Sequence, residues 1–553
     1  MSIFGVPIEN RRESDRRGLS RPLVVLMAAI VAIAAIAHLL VTVQPVFSDE
    51  FLILGNFWDF VQNRTIIPEH TKYPAFYTYM VAPANAAFVA ASVALGLPAS
   101  IYDYSEWMAL RPELAMWPSR LVSAVCWAVC AWAVFRLARE VLTSRVAALL
   151  SAAAFVSAFG LLEYSGYGLP DVAMMMWVTL ALIYALRLVD SERPVRDAAI
   201  AGALAGVAMA TKYSAAAVAA PLVAAVLAME AGGRRGRAQM LGVMAGAGAL
   251  AFIVACPGWV LAPASYWTGL AWERAHMARG HLGYFGVPLL GQLELIFSAD
   301  PVLLLGGIAG AIVWARREPG AKLMVLIVAG AAVLAMAAPA KKQSLQYVFA
   351  LYPVLAVLLG GGLCHLGGAA YRRATWIVAV LLLLTAAWGL LWGYRVALLR
   401  DSRVVGRQWI NARIPEGDVV AVDWIDVPRL ISQEKIDTRR DGAQTEMVRA
   451  AYESLHGFPA VEMDIKQRKY WTREFLRTTS AIWLVTSSTC YDPFFESGRF
   501  TRLPPPPGAQ LRGEFEQKRD FYQALRDGYE GWRLEYEVYT GNGPHIQVYH
   551  RAR

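Results

Sequence analysis

Charge is scarce in this chain. Of its 553 residues 17% are Asp, Glu, Lys or Arg, against 57% hydrophobic ones. Cysteine is scarce too: there are five, an odd number, with no metal-ligand spacing among them. Cys126 and Cys130, one helical turn apart in an apolar run, read as packing residues. Cys490 stands alone in the C-terminal region, which excludes a disulfide within that region. The sequence also lacks an internal repeat and a Gly-rich loop of the kind that cradles a nucleotide phosphate.

What is present is a series of long apolar runs. Each has roughly 20 residues, enough at about 1.5 Å per residue to cross a ~30 Å hydrocarbon core. The fold class is therefore a polytopic α-helical membrane protein. The net charge of +9 does not indicate nucleic acid as a partner, because the Arg residues cluster in short loops between apolar runs. That distribution is the footprint of the positive-inside rule.

Those basic loops fix an expected topology. Residues 1–21 are Arg-rich and precede an apolar run at 22–43, which reads as a retained first span with a cytoplasmic N-terminus. The Arg136/Arg139/Arg145 loop should be cytoplasmic as well. Two crossings then separate it from the N-terminus, so 74–97, with Pro74, Pro83 and Asn85, is expected to lie in the interface. Residues 44–117 become one large external loop. Further hairpins turn outside at Glu163–Asp171, at Lys212 and at Lys341-Lys342-Gln343. The 284–299 stretch is expected to lie flat, and a last span near 375–394 leads out. About eleven crossings result, in an inner cell membrane.

Residues 1–394 thus form a membrane domain, and 395–553 an external α/β domain. In the latter, Ser402–Ala412 reads as an amphipathic helix and Asp418–Trp424 and Ala481–Ser487 as strands. Phe515–Tyr529 has helical periodicity, and 532–550 reads as a hairpin turning at Thr540-Gly541-Asn542-Gly543.

The candidate chemistry gathers at the outer ends of the spans. Asp49-Glu50 follow the first run; Asp49 could serve as an acid or base, or cap a helix beginning at Glu50. Lys72-Tyr73-Pro74 offers either a snorkelling anchor or a cation for a lipid phosphate. Asp171 after Pro170 suits a helix dipole or a site. Lys212 interrupts an apolar run and needs an anion, either a ligand or an acid from the first loop. Lys341 and Lys342, with Tyr347 nearby, run against the expected charge bias, which an anionic ligand would explain. Glu273-x-x-His276, with His281, makes a divalent metal the one conceivable cofactor.

In their order and shared sidedness these motifs resemble the GT-C superfamily of membrane glycosyltransferases. The nearest branch is that of protein O-mannosyltransferases and lipid A aminoarabinose transferases. The resemblance covers most of 22–425. It is carried by Ser48-Asp49-Glu50, Lys72-Tyr73-Pro74 with Tyr77, Ser119-Arg120-Leu121, Leu169-Pro170-Asp171, Gly206–Lys212, Lys341–Pro353 and Arg407-Gln408-Trp409-Ile410. Leu169, Tyr213 and Gln346 depart from the family pattern, which has Arg, Gly and Arg there.

The resemblance implies a sugar donor on a polyprenyl phosphate and a glycan, lipid or protein acceptor, with inversion at the sugar. It implies Asp49, Glu50 and Asp171 as the catalytic acids and Lys72, Lys212, Lys341 and Lys342 as the donor-phosphate cations. Tyr73, Tyr77, His276 and Tyr347 would line the pocket. Loss of Lys72 or Lys212 is expected to harm donor use far more than folding. A transporter or flippase of a lipid-linked sugar is the competing class; it would place charges deep in both halves of an inverted repeat.

Overall fold

The computed structural model describes residues 21–43, 49–96, 115–229, 233–279, 289–340, 344–415, 417–423, 426–428, 460–463, 468–495 and 509–552. The membrane part begins with α1 (Arg21–Val41), α2 (Glu50–Gln62), α3 (Phe76–Ala94) and α4 (Trp117–Val141). Next come α5 (Arg145–Val156), α6 (Phe159–Ser165), α7 (Pro170–Leu188), α8 (Pro194–Thr211) and α9 (Ala219–Leu227). Then follow α10 (Gly233–Ala255), α11 (Pro263–Arg279), α12 (Leu290–Ala299) and α13 (Pro301–Arg317). The last three are α14 (Ala321–Ala337), α15 (Leu351–Cys364) and α16 (Gly368–Leu398).

Proline opens α7, α8 and α13, where its missing N–H costs no hydrogen bond. Helices α7 and α15 are buried along nearly their whole length and form the centre of the bundle. α10 lies at its edge, with 17% of its span window buried. It packs on α8 through glycines: a Cβ at Gly202 or Gly206 would fall 2.1 Å from the Met244 or Gly248 carbonyl oxygen. Small residues let membrane helices approach backbone to backbone, because lipid tails give no hydrophobic drive to associate.

Three breaks shape the site end. α5 and α6 meet at 56°, α12 and α13 at 114°, and α8 stops where Lys212 takes an extended conformation (φ −155°, ψ 133°). The apolar run 198–229 is thus split at Lys212, and a 3-10 turn at Tyr213–Val218 leads into α9. α3 is one unbroken 19-residue helix, long and apolar enough to cross a membrane. Length alone therefore does not assign it to the interface.

Beyond α16, α17 (Ser402–Arg413) leads into a five-stranded sheet of order β2-β1-β3-β5-β4. β1 (Val420–Val422), β2 (Ala460–Glu462) and β3 (Trp483–Ser487) are parallel; β4 (Trp532–Val538) and β5 (Ile546–Arg551) complete it antiparallel. The expected helix near 515–529 is Ala509–Arg526. The β4–β5 turn clamps the sheet to the membrane part. Asn542 donates to the Val396 and Leu399 carbonyls at the end of α16, at 3.1 and 2.8 Å. Gly543 (φ +77°) sits where a Cβ would be 2.7 Å from the Asp401 carboxylate, so this turn needs glycine.

A candidate active site at the helix breaks

The break after α8 and the first turn of α7 bring Lys212 and Asp171 together. Lys212 Nζ donates to Asp171 Oδ1 at 2.5 Å, and both side chains are buried. The partner of Lys212 is therefore not an acid from the first loop: α7 and α8 are packed neighbours, which puts Asp171 nearest. Two aromatic rings flank the ammonium, Tyr73 at 5.4 Å and Tyr347 at 5.6 Å, and add cation–π attraction in a dry setting.

Tyr73 carries the arrangement outward, since its hydroxyl donates to Asp49 Oδ2 at 3.5 Å, a long contact. Burial first, then the charges of Asp49, Glu273 and Asp171, hold the Tyr73 phenol well above the usual tyrosine range. It stays a donor at any physiological pH. Among the described residues Asp49 has no cationic partner within ion-pair distance. It precedes α2 without making a side-chain cap bond, so capping does not occupy it either.

Glu50 is engaged differently. Its carboxylate takes two hydrogen bonds from Arg120, at 2.8 and 2.7 Å, and one from the Gly168 backbone N–H at 2.7 Å. Arg120 also donates to the Thr42 carbonyl at 2.7 Å. Glu50 is 0% exposed and Arg120 1%, so this bidentate pair is a brace in the interior. It ties α2, α4, the end of α1 and the loop before Asp171.

The Lys72–Tyr73 loop is held from above by α11. Gly269 packs so tightly on Thr71 that a Cβ would lie 2.3 Å from its carbonyl oxygen, and the Thr71 hydroxyl donates to Ser265 O at 2.9 Å. That contact delivers Trp272, whose ring lies 4.7 Å beneath Lys72 Nζ. His276 stacks on Trp272 at 4.9 Å.

The fold built around this cluster is known. Over 96% of this chain and 98% of the other, the structure matches ArnT from Cupriavidus metallidurans bound to undecaprenyl phosphate, with a TM-score of 0.51 at 14% identity. The Archaeoglobus fulgidus oligosaccharyltransferase in its apo form matches over 93% of this chain and 80% of its own, with a TM-score of 0.51 at 13% identity. The fold is the one these two proteins share. Residues 106–260 also match the family model for dolichyl-phosphate-mannose-protein mannosyltransferases. No curated protein matches the sequence significantly.

Within this fold, Asp49, Tyr73, Asp171, Lys212 and Tyr347 form one cluster, and Lys72 stands beside it on Trp272. Tyr77 does not line it. Its ring is 1% exposed and its hydroxyl bonds Ser123 Oγ at 2.8 Å and Ser119 O at 3.2 Å, which fastens α3 to α4. The reason is helical phase: Tyr77 sits on the face of α3 that packs inward. His276 reaches the cluster by way of Trp272. Among the described residues no three His, Cys, Asp or Glu side chains gather as a metal site would. Lys341, Lys342 and His281 lie outside the described residues.

Two participants escaped the sequence reading of roles. Arg120 is a lone cation in an apolar run, a signal of the same kind as Lys212. Trp272 gave no signal, because stacking under Lys72 depends on how α11 folds back.

Proposed function

We propose that this protein transfers a sugar from a polyprenyl-phosphate or diphosphate donor to an acceptor hydroxyl or amine, with inversion at the sugar. The observation that carries the reading is Asp49, a carboxylate without a cationic partner among the described residues, set beside a protonated tyrosine whose ring meets Lys212. Asp49 takes the proton of the acceptor O–H or N–H as its oxygen or nitrogen attacks the anomeric carbon. The bond from that carbon to the phosphate oxygen breaks, and its electron pair leaves with the lipid phosphate. Lys72, with Lys341 and Lys342, neutralises the growing charge. Glu50 acts as a positioning residue through Arg120, and Asp171 holds Lys212. No nucleotide is required, because the activated sugar arrives in the membrane.

Purified protein incubated with a labelled polyprenyl-phosphate sugar and a cell-envelope extract as the source of acceptors is expected to consume the donor and release free lipid phosphate. A protein that leaves the donor intact, or moves it unaltered between leaflets, is a flippase and the reading fails. In the same assay Lys72→Ala should lose on the order of 2–4 kcal/mol of transition-state stabilisation while folding stays close to wild type. Lys212→Ala differs, because it strands buried Asp171 and should cost the fold about 3–5 kcal/mol as well. The ion pair with Asp171 is the ground for expecting Lys212 and Lys72 to differ.

The cluster is placed at the external face, with the α/β domain outside an inner membrane and the N-terminus in the cytoplasm. The support is the arginine distribution. A single cysteine introduced at Arg440 should react with an impermeant label from outside. Labelling from the cytoplasmic side alone would reverse this topology.

A further inference from the structure

Asp300 lies in the 114° bend between α12 and α13, and it is 3% exposed. Sequence analysis did not single it out. Both of its oxygens are engaged by other parts of the chain. Oδ1 accepts from the Phe159 backbone N–H at 2.5 Å; Oδ2 accepts from the Gly160 N–H at 3.0 Å and the Tyr352 hydroxyl at 2.8 Å. Phe159 and Gly160 are the first residues of α6, whose N-terminal N–H groups have no partner inside their own helix. A carboxylate from a distant helix break therefore caps α6 and at the same time holds the first turn of α15.

The two segments it holds lead into the cluster. α6 runs through the 166–169 loop, where Gly168 donates to Glu50, and into Asp171 at the start of α7. On the other side, Tyr352 follows the 3-10 turn at Leu345–Val348 that places Tyr347 over Lys212. The segments also touch directly at Gly160. A Cβ there would lie 2.9 Å from atoms of Ala299, Asp300 and Leu345 alike. An ionisable residue at a break in membrane helices is costly, and it persists where it serves the site.

The geometry points to Asp300 as a positioning residue for the reaction proposed above: one buried carboxylate sets the Asp171–Lys212 pair and the Tyr347 ring relative to each other. It touches no reacting atom. Its effect reaches catalysis through the two segments, and this inference rests on the proposed transferase reading. Asparagine cannot replace it, because all three partners donate and an amide NH2 would face a donor.

The test uses the full-length protein in lipid nanodiscs, with Asp300→Asn and Tyr352→Phe beside wild type. Hydrogen exchange is followed by peptide, and turnover of the labelled polyprenyl-phosphate sugar is followed over donor concentration. For Asp300→Asn, exchange across 159–171 and 344–352 should quicken at least ten-fold, while α1 and the β-sheet stay as in wild type. Its kcat should fall ten-fold or more, and its donor KM should shift in the same direction as that of Asp171→Asn. Tyr352→Phe leaves the α6 cap in place and should loosen 344–352 alone. Asp300 loses the assigned role if exchange quickens equally in every helix, if 159–171 stays protected, or if loosening leaves kcat unchanged. Should wild type consume no donor, the transferase reading falls, and the exchange pattern still decides whether Asp300 holds both segments.

Discussion

Asp49→Asn is expected to turn over the donor roughly 10²–10⁴-fold more slowly than wild type, the usual range for loss of a general base. The substitution keeps the shape and can still accept the Tyr73 hydroxyl, now 3.5 Å from Asp49 Oδ2. It removes the ability to take a proton. Donor binding should survive, because the cations proposed to meet the phosphate are Lys72, Lys341 and Lys342. Measured kcat and donor KM separate the two effects, so the expected signature is a collapse of kcat with KM nearly unchanged. Wild-type turnover by this variant would remove Asp49 from the mechanism. Asp171→Asn gives the contrast: it weakens the hold on Lys212 and should disturb donor KM and stability together.

The largest effect on stability is expected at the Glu50–Arg120 brace. Glu50→Gln takes the charge from the carboxylate that accepts two of Arg120's hydrogen bonds, and Arg120→Met removes those donors from Glu50. Either single change should destabilise the protein by about 3–5 kcal/mol, because breaking a buried charge pair on one side is far costlier than lacking the pair. The double variant, with Glu50→Gln and Arg120→Met together, should recover part of that loss. Chemical unfolding of all four proteins in the same detergent gives the coupling energy. Single variants within about 1 kcal/mol of wild type, or losses that simply add, would show that the pair braces nothing.

Glu50 shows how far sequence reasoning went at the site. Two adjacent carboxylates after the first span drew attention, yet sequence could not divide their contacts between them. A helical turn of about 100° separates them, and which one meets Arg120 depends on where α4 lies. Lys212 was legible as a buried cation in need of an anion, since nothing else explains a lysine in such a run. Its partner was not, because Asp171 stands 41 residues away and meets it by packing of α7 on α8. Tyr77 was misread for the same reason: four residues from Tyr73, it takes the face of α3 that packs on Ser119 and Ser123. Asp300 gave no signal in the sequence, because its three donors come from segments 141, 140 and 52 residues distant.

The sequence by itself determined that this is a polytopic helical protein with an appended α/β unit. Apolar length and turn chemistry are local properties, and a ~30 Å hydrocarbon core accepts little else. It also determined that ionisable residues collect at the ends of the spans, since a charge deep in an apolar run is too costly to be accidental. Which of those charges neutralise one another among the described residues came from the tertiary structure alone. Pairing is set by distances of a few ångströms between helices remote in sequence, and a carboxylate is a brace or a base according to whether a cation stands within that reach.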